Sequence, residues 1–399
     1  MLWMCGLIAV VALVVLALVI SAGERTGAQP SGARLEHLQT SPQWQGRRFK
    51  NHLPRTDGRV IDMVREYFFG GQGFRTPEVD AEAFVIEPEH LNLPPKDVGR
   101  VTWFGHSSLL VELDERRILI DPVWSQRASP FTWAGPKRFY QPPVSLESLP
   151  KIDAVIISHD HYDHLDMEAV KRLLPRSPQW ICPLGVGSHL EKWGVSAQDI
   201  TELDWWSHAT VGTIKVTATP SRHFSGRSVV FTDQNKTLWA GWSIAGDQGR
   251  IFYSGDTALH PDFETIGQEL GPFDLSIMEI GAYDALWPDV HLGPEQALIA
   301  HQLVRGRVMM PVHWGTFDLA LHGWVEPIER LLEAAQLDGV RVVVPRPGGV
   351  VRLNQPDSTV QRWWSDRPWR TAGEAPVWSS SVEHIQAPLK AKLSQKPEP

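Results

Sequence analysis

Residues 158–166 constrain this chain more than any other feature, and they read Ser-His-Asp-His-Tyr-Asp-His-Leu-Asp. Four metal-binding side chains fall within six positions: His159, His161, Asp163 and His164. The apolar run before them, 153–158, is typical of a buried strand, and the capped pattern after them, 166–174, is typical of a helix. We therefore predict that the cluster lies in a strand-to-helix turn, where several side chains can converge.

The spacing within this cluster favours metal binding. Alternation along an extended segment places His159 and His161 on the same side, so both imidazoles can bind one ion. Asp163 and His164 follow where the chain turns, and they can reach a second ion beside the first. Imidazole and carboxylate ligands without a thiolate suit a hydrolytic zinc or a similar divalent cation. A histidine-rich polar loop is the alternative, and the close spacing argues against it.

Three more residues of the same types follow predicted strands. They are His223, Asp256 and His313. Because α/β proteins build sites from the loops at one edge of a sheet, these side chains are expected near the first cluster. Together the two groups supply five histidines and two aspartates, a coherent ligand set for two metal ions.

Beyond residue 100 the hydrophobic pattern is typical of an α/β protein. Strands are predicted over residues 101–104, 108–112, 117–121, 213–219, 228–232, 250–254, 275–280, 308–312 and 341–344. Helices are predicted over residues 167–174, 294–303 and 326–335, with a shorter helical piece at 60–69.

We divide the chain into four predicted segments. They are an anchor at 1–22, a linker and irregular lead-in at 23–100, a catalytic domain at 101–354 and a tail at 355–399. The tail is polar with scattered tryptophans, and it is expected to wrap the domain loosely and fray.

The N-terminal run Leu2–Ile20 contains no charged residue. At about 1.5 Å per residue it spans roughly the bilayer core, so we predict an N-terminal transmembrane helix and a single-pass membrane protein. A cleaved signal peptide is the alternative, with small residues at Ser21–Gly23, but no Lys or Arg precedes the run. Arg25 and Arg34 follow the run, which slightly favours a cytoplasmic catalytic domain.

The net charge of −8 argues against nucleic-acid binding, which needs a basic surface. The chain contains 18 tryptophans, which either fill the core or line an apolar groove and touch a membrane interface. The predicted anchor makes a membrane an expected partner. The sequence gives no indication of the oligomeric state.

The ligand pattern resembles the metallo-β-lactamase superfamily. Further segments across residues 101–344 resemble one branch of it, the N-acylphosphatidylethanolamine-hydrolysing phospholipases D. They are Gly105-His-Ser-Ser108, Asp121-Pro122, Arg127-Ala-Ser-Pro130, Gly135-Pro-Lys-Arg-Phe139, Glu202-Leu-Asp-Trp-Trp206, Gly271-Pro-Phe-Asp274, Ile280-Gly-Ala-Tyr283 and His313-Trp-Gly-Thr-Phe317.

This resemblance implies an αββα sandwich that holds two zinc ions per chain at one edge. It implies a first zinc on His159, His161 and His223, a second on Asp163, His164 and His313, and Asp256 as the bridge. It also assigns His291 to the phospholipid head group. The residue before it is Val290, where relatives carry a polar amide.

The implied activity is hydrolysis of N-acylphosphatidylethanolamine by a metal-bound hydroxide, which releases phosphatidic acid and N-acylethanolamine. Asp256 and Asp163 are the expected catalytic carboxylates, and a bridging Asp256 would fix the metal separation. Asp121, Asp166 and His106 are candidates to orient the ligands, with helix capping or turn formation as the alternative role.

Two other functions stay open. One is a related hydrolase that acts on another phosphodiester or on a sugar-phosphate lactone. The other is a metal-free scaffold protein, which retention of all seven ligands argues against. The predicted anchor favours a lipid substrate over a soluble sugar.

Overall fold

The computed structural model describes residues 2–55, 62, 65–66, 73–93, 99–176, 178–353 and 360–394. Two mixed β-sheets dominate these residues. The first sheet has seven strands in the order β15-β3-β4-β5-β6-β7-β8: β3 Arg100–Trp103, β4 Leu109–Leu113, β5 Arg116–Ile120, β6 Ala154–Ile156, β7 Gln179–Pro183, β8 Ile200–Leu203 and β15 Val350–Arg352.

The second sheet has six strands in the order β14-β13-β12-β11-β10-β9. Its strands are β9 His208–Val211, β10 Ile214–Thr219, β11 Gly241–Gly246, β12 Gly249–Tyr253, β13 Leu275–Glu279 and β14 Met309–Val312. A small hairpin, β1 Trp44–Gln45 and β2 Arg48–Phe49, precedes both sheets. In each large sheet, antiparallel pairs occupy one side and parallel pairs the other.

Helices connect and cover the strands. They are α1 Leu2–Ala22, α2 Gly32–Leu38, α3 Met167–Leu173, α4 Gly187–Lys192, α5 Asp262–Glu269, α6 Pro294–Leu303, α7 Glu326–Asp338 and α8 Glu383–Ser394.

The two sheets share one apolar core between their facing sides. Leu109, Val111 and Leu113 of β4 lie in it with Val216 of β10 and Ile251 of β12. This alternation follows from the two-residue period of a strand, which turns every second side chain to the same face. The strand patterns in the sequence therefore specify which face of each sheet is inside.

The outer face of the first sheet is covered as well. Leu110 of β4 and Leu119 of β5 pack with Val170 and Leu173 of α3 in a second apolar cluster. All five residues of β4 are buried, so its sequence is apolar on both faces except at Glu112. The predicted α/β sandwich is confirmed.

The prediction of an N-terminal transmembrane helix is wrong. No helix in the described part of the chain combines the length and the apolar character that a bilayer span of about 20 residues needs. The single-pass membrane location that was inferred from it is therefore contradicted. The end of α1 is tied to the folded domain instead: Ala22 is buried, Trp133 Nε1 donates to Ser21 Oγ at 3.2 Å, and Arg25 pairs with Glu168.

Some strand predictions also fail. Residues 228–232 form turns, with Val230 and Phe231 exposed, and the neighbouring strand is the unpredicted β11. The run 341–344 contributes isolated bridges rather than a named strand. The predicted helical piece at 60–69 falls mostly outside the described residues.

The C-terminal segment is packed where the structure describes it, contrary to the expectation of a loose tail. Trp363, Trp364, Val382 and Leu389 all belong to the main core. On the N-terminal side, Leu38 and Phe49 are fully buried in the same core. The division into four segments stays a prediction, and both flanks contribute to the folded unit.

Candidate metal centre

The ligand-type side chains meet at the edge where several strands end. His159 follows β6, His223 follows β10, Asp256 follows β12 and His313 follows β14. Gly255 makes the turn before Asp256 with a positive φ of 56°, and a Cβ atom there would lie 2.8 Å from the carbonyl oxygen of Ala240. The glycine is required both by the backbone conformation and by the close packing.

The first ligand set consists of three imidazoles and one carboxylate. His159 Nε2 lies 2.9 Å from His161 Nδ1, which lies 3.2 Å from His223 Nε2. Asp256 Oδ2 lies 3.7 Å from His159 Nε2 and 3.8 Å from His223 Nε2. Ligands about 2.05 Å from a tetrahedral zinc are separated by about 3.3 Å, so this set has suitable dimensions.

The second set surrounds Asp163. Its Oδ2 atom lies 3.5 Å from His164 Nε2, 3.2 Å from His313 Nε2 and 3.0 Å from His106 Nε2. The ligand atoms of all four residues lie within 4.8 Å of one another. The structure therefore brings the three residues predicted for a second ion together, and it adds His106 to them.

Asp256 connects the two sets. Besides its contacts in the first set, its Oδ1 atom lies 3.0 Å from His164 Nε2 and its Oδ2 atom lies 3.2 Å from His313 Nε2. The predicted bridging carboxylate is thus the one that reaches both sets.

Two observations indicate that the residues fit cations. Within the described residues, His164 Nε2 and Asp256 Oδ1 are buried without a hydrogen-bond partner, although they face each other. Buried polar atoms are normally satisfied, so these two atoms need a further partner. The donor set of imidazoles and carboxylates is one that zinc and similar divalent cations bind.

The pKa shifts of the buried groups are those expected of a site that binds cations. Burial alone would raise the pKa of Asp163, but the facing His164 and the donors His106 and His313 hold it well below its usual value. Burial opposes a charge on His313 too, yet Asp256 and Asp163 raise its pKa to about 10. The carboxylates therefore stay ionised and draw positive charge into the cluster.

Acceptors behind the imidazoles orient them. Asp121 Oδ2 lies 2.8 Å from His164 Nδ1, and the Val290 carbonyl oxygen lies 2.9 Å from His223 Nδ1. Because both are acceptors, Nδ1 of each ring carries the proton and Nε2 is left as a ligand atom.

His106 and Asp166, the other two candidates for orienting the ligands, have different roles. Burial, with the neighbouring His313, lowers the pKa of His106 to about 3, so its neutral ring donates from Nε2 to Asp163. Asp166 instead caps α3 through the backbone N–H of Glu168 and accepts from the backbone N–H of Ser125. Its role is the structural alternative that the sequence had left open.

Three residues of the site have a left-handed backbone conformation. His106, Asp121 and His313 have positive φ values of 52°, 40° and 63°. Such values are uncommon for residues other than glycine, and they persist where the surrounding structure enforces them.

Sequence reasoning missed Glu279, which ends β13. Its Oε2 atom lies 2.8 Å from Nδ1 of His291, and its side chain is fully buried. Burial raises the pKa of Glu279 even though the facing His291 lowers it, and the nearby Asp256 adds to the rise. The sequence offers only a single carboxylate at the end of this strand, which does not by itself indicate a functional residue.

The beta-lactamase superfamily domain matches residues 116–314 of this chain. An uncharacterised protein of Mycobacterium tuberculosis is 49% identical over 66% of this chain and 71% of its own length. An N-acyl-phosphatidylethanolamine-hydrolyzing phospholipase D of Caenorhabditis elegans is 40% identical over 58% of this chain and 68% of its own length. The chain belongs to the metallo-β-lactamase superfamily, in the branch of the N-acylphosphatidylethanolamine-hydrolysing phospholipases D.

Other similarities place the branch among metal-dependent hydrolases. A metal-dependent hydrolase of Pyrobaculum calidifontis is 30% identical over 64% of this chain and all of its own length. A solved metallo hydrolase from Ignicoccus hospitalis has the same fold, with a TM-score of 0.50 at 24% identity over 64% of this chain and 98% of that chain. The resemblance inferred from the sequence is confirmed, and the chain is a metal-dependent hydrolase.

Proposed function

We propose that this metallo-β-lactamase-fold protein is a dinuclear zinc phosphodiesterase that hydrolyses N-acylphosphatidylethanolamine to phosphatidic acid and N-acylethanolamine. The observation that carries the proposal is the position of Asp256, which reaches both ligand sets. The activity named for the Caenorhabditis elegans relative supports the choice of substrate.

Each of the two ligand sets would hold one zinc ion. One zinc would be held by His159, His161 and His223, the other by Asp163, His164 and His313, with Asp256 between them. Two such cations supply Lewis acidity toward the phosphodiester and lower the pKa of a water molecule so that it reacts at neutral pH.

We assign to Asp163 the role of orienting the attacking water. Its side chain is 15% exposed, against 1% for Asp256. Its contacts to His106, His164 and His313 all use Oδ2, which leaves Oδ1 to accept a hydrogen bond from water and orient it.

His291 is the residue that we assign to the phosphate head group. Its Nδ1 atom is engaged by Glu279 Oε2, and its ring is 13% exposed at the edge of the site. Since Nδ1 is occupied, Nε2 is the atom that would contact a phosphate oxygen. The side chain of Val290 has no hydrogen-bonding group to offer a phosphate, and its backbone carbonyl is engaged by His223.

A cavity lined by both apolar and charged side chains supports a lipid substrate over a soluble sugar. It has a volume of about 710 Å³, and its apolar lining includes Phe139, Trp287, Leu319 and Leu321. Phe317 lies next to this wall in the chain and contacts the ring of His106 at 5.2 Å between ring centres. Acyl chains are the part of the substrate that such a lining would hold.

A substrate panel tests the proposal. Zinc-loaded protein is incubated with detergent-dispersed N-acylphosphatidylethanolamine and, in parallel, with phosphatidylcholine, bis(p-nitrophenyl) phosphate and a sugar-phosphate lactone. We expect phosphatidic acid and N-acylethanolamine in equal amounts by mass spectrometry, at a rate above that for the other compounds. Turnover of the lactone or of the simple diester without turnover of the lipid would establish the alternative function.

A further inference from the structure

The loop of residues 289–291 controls one ligand of the candidate metal centre. The carbonyl oxygen of Val290 lies 2.9 Å from Nδ1 of His223. A carbonyl can only accept, so Nδ1 carries the proton and the lone pair of Nε2 faces Nδ1 of His161 at 3.2 Å. The position of this loop therefore decides whether His223 presents a ligand atom.

A buried network fixes the loop through Asp289. Arg222 Nη1 lies 2.9 Å from Asp289 Oδ1, and Ser379 Oγ donates to the same oxygen. All three residues are at most 1% exposed. An unpaired charge in such a place is costly, so the ion pair and its hydroxyl donor hold one arrangement.

Ser379 is itself held in place by α8. The side-chain amide of Gln386 donates to the backbone carbonyl of Ser379 at 2.7 Å, and its Oε1 atom accepts from Gln296 of α6 at 3.1 Å. Both glutamines are fully buried. The C-terminal segment is therefore anchored on the sandwich at the point where it meets the loop.

The N-terminal flank reaches the same ligand from the other side. Asn51 Nδ2 donates to the backbone carbonyl of His223 at 2.8 Å, and Asn51 Oδ1 accepts from the backbone N–H of His223 at 3.1 Å. Arg222 also donates to the carbonyl of Pro54 and to Ser381 Oγ. Two chain segments outside the predicted catalytic domain thus meet at His223.

We propose that Ser379 is a positioning residue for His223, acting through Asp289 and the carbonyl of Val290. The C-terminal segment is then part of the catalytic unit rather than an appendage of it. The inference rests on the proposed function in one respect, namely that His223 binds a cation.

The test compares Ser379→Ala with Ser380→Ala in the full-length protein. Ser380 is exposed and adjacent, so it is a matched control. Zinc affinities are measured by competition with a chromophoric chelator, after thermal melting has confirmed that both variants fold. Loss of an outer hydrogen-bonding partner typically weakens metal affinity by about 10–100-fold. Because Ser379 acts on His223 through Asp289 and Val290, we expect a loss at the lower end of that range, about 10-fold, for one zinc in Ser379→Ala. We expect no change for the other zinc and no change in Ser380→Ala.

Two more variants keep the inference testable if Ser379→Ala does not fold. Asp289→Asn retains an acceptor for Ser379 but removes the charge that binds Arg222, and it should weaken the same zinc. Ser379→Thr keeps the hydroxyl and should retain wild-type affinity. In ¹⁵N-histidine-labelled protein, the proton on Nδ1 of His223 should be lost or averaged in Asp289→Asn.

The outcomes separate the two proposals. If the wild-type protein binds no zinc, the proposed function is wrong. If it binds two zinc ions and both affinities are unchanged in Ser379→Ala or in Asp289→Asn, the positioning role is overturned while the proposed function stands.

Discussion

The Oδ2 atom of Asp121 lies 2.8 Å from Nδ1 of His164, on the side of the ring away from the ligand cluster. The same oxygen accepts from the hydroxyl groups of Tyr253 and Ser158, each at 2.6 Å. A carboxylate behind a ligand imidazole fixes its tautomer and increases its basicity. The Asp121 carboxylate does for His164 what the carbonyl of Val290 does for His223.

Replacement of Asp121 by Asn should weaken one metal site without unfolding the protein. The backbone φ of Asp121 is 40°, a conformation that Asn tolerates well. Loss of the charge behind His164 should lower the affinity of that zinc by about 10–100-fold. Chelator competition measures this, and unchanged affinity for both ions would show that Asp121 does not support the ligand.

Asp166→Asn is the control for that experiment. Both aspartates were candidates for orienting ligands, but Asp166 contacts the backbone at Trp124 and Ser125 and the start of α3. Its replacement should leave both zinc affinities unchanged, whatever it does to stability.

Asp256→Asn should abolish most of the activity while the fold survives. The change keeps the shape of the side chain but removes the charge that reaches both ligand sets. Loss of a single group that stabilises the transition state typically costs about 10²–10³ in kcat, and we expect at least that fall in kcat/KM. Circular dichroism checks the fold, and Asp262→Asn, a partly exposed aspartate that pairs with His52, should retain activity. Near-normal turnover of Asp256→Asn would show that this residue is not the bridge.

Metal removal should inactivate and destabilise the protein reversibly. Ions that bind only the folded state raise the melting temperature, so dialysis against a chelator should lower it. We expect elemental analysis of the untreated protein to give close to two zinc ions per chain, because seven ligands exceed the needs of one tetrahedral ion. Full activity in metal-free protein would contradict this expectation.

His301 should make the protein less stable in acid. Burial lowers its pKa from 6.5 to about 4, and its Nδ1 atom lies 2.6 Å from Ser276 Oγ. Between these pH values the unfolded chain binds a proton that the folded chain does not, so stability falls as the pH drops from 6.5 towards 4. The difference amounts to about 3 kcal/mol.

His301→Gln should remove that part of the pH dependence. Urea unfolding at about pH 7 and about pH 4 measures the change in unfolding free energy for both proteins. Between these two pH values, the unfolding free energy of the wild type should fall by up to about 3 kcal/mol more than that of the variant. Equal losses would show that His301 is not held neutral in the folded state.

The ligands could be predicted from the sequence because the decisive information is local. His159, His161, Asp163 and His164 stand within six positions, and their spacing alone brings them together. Glu279 could not be found this way, since its partner His291 lies on a separate loop. A buried carboxylate becomes informative only once the fold places a second group beside it.

Hydrophobic patterns also fail where individual side-chain contacts decide the local structure. The run 228–232 is apolar enough for a strand, yet Asp233 turns it by accepting from the backbone N–H groups of Arg227 and Ser228. Asn51 contacts His223 from 172 residues earlier in the chain, and Ser379 contacts Arg222 from 157 residues later. No sequence periodicity indicates such contacts. The predicted anchor failed for a different reason, since no helix in the described residues combines the required length and apolar character.

The most direct test of the central claim is hydrolysis of N-acylphosphatidylethanolamine in H₂¹⁸O, with mass spectrometry of both products. Attack of water at phosphorus places the new oxygen on phosphatidic acid and leaves the original oxygen on N-acylethanolamine. We predict one ¹⁸O atom in the phosphate of phosphatidic acid and none in N-acylethanolamine. A chelator should abolish the release of both products, and zinc should restore it. Label in N-acylethanolamine, or no release of either product by zinc-loaded protein, would contradict the account.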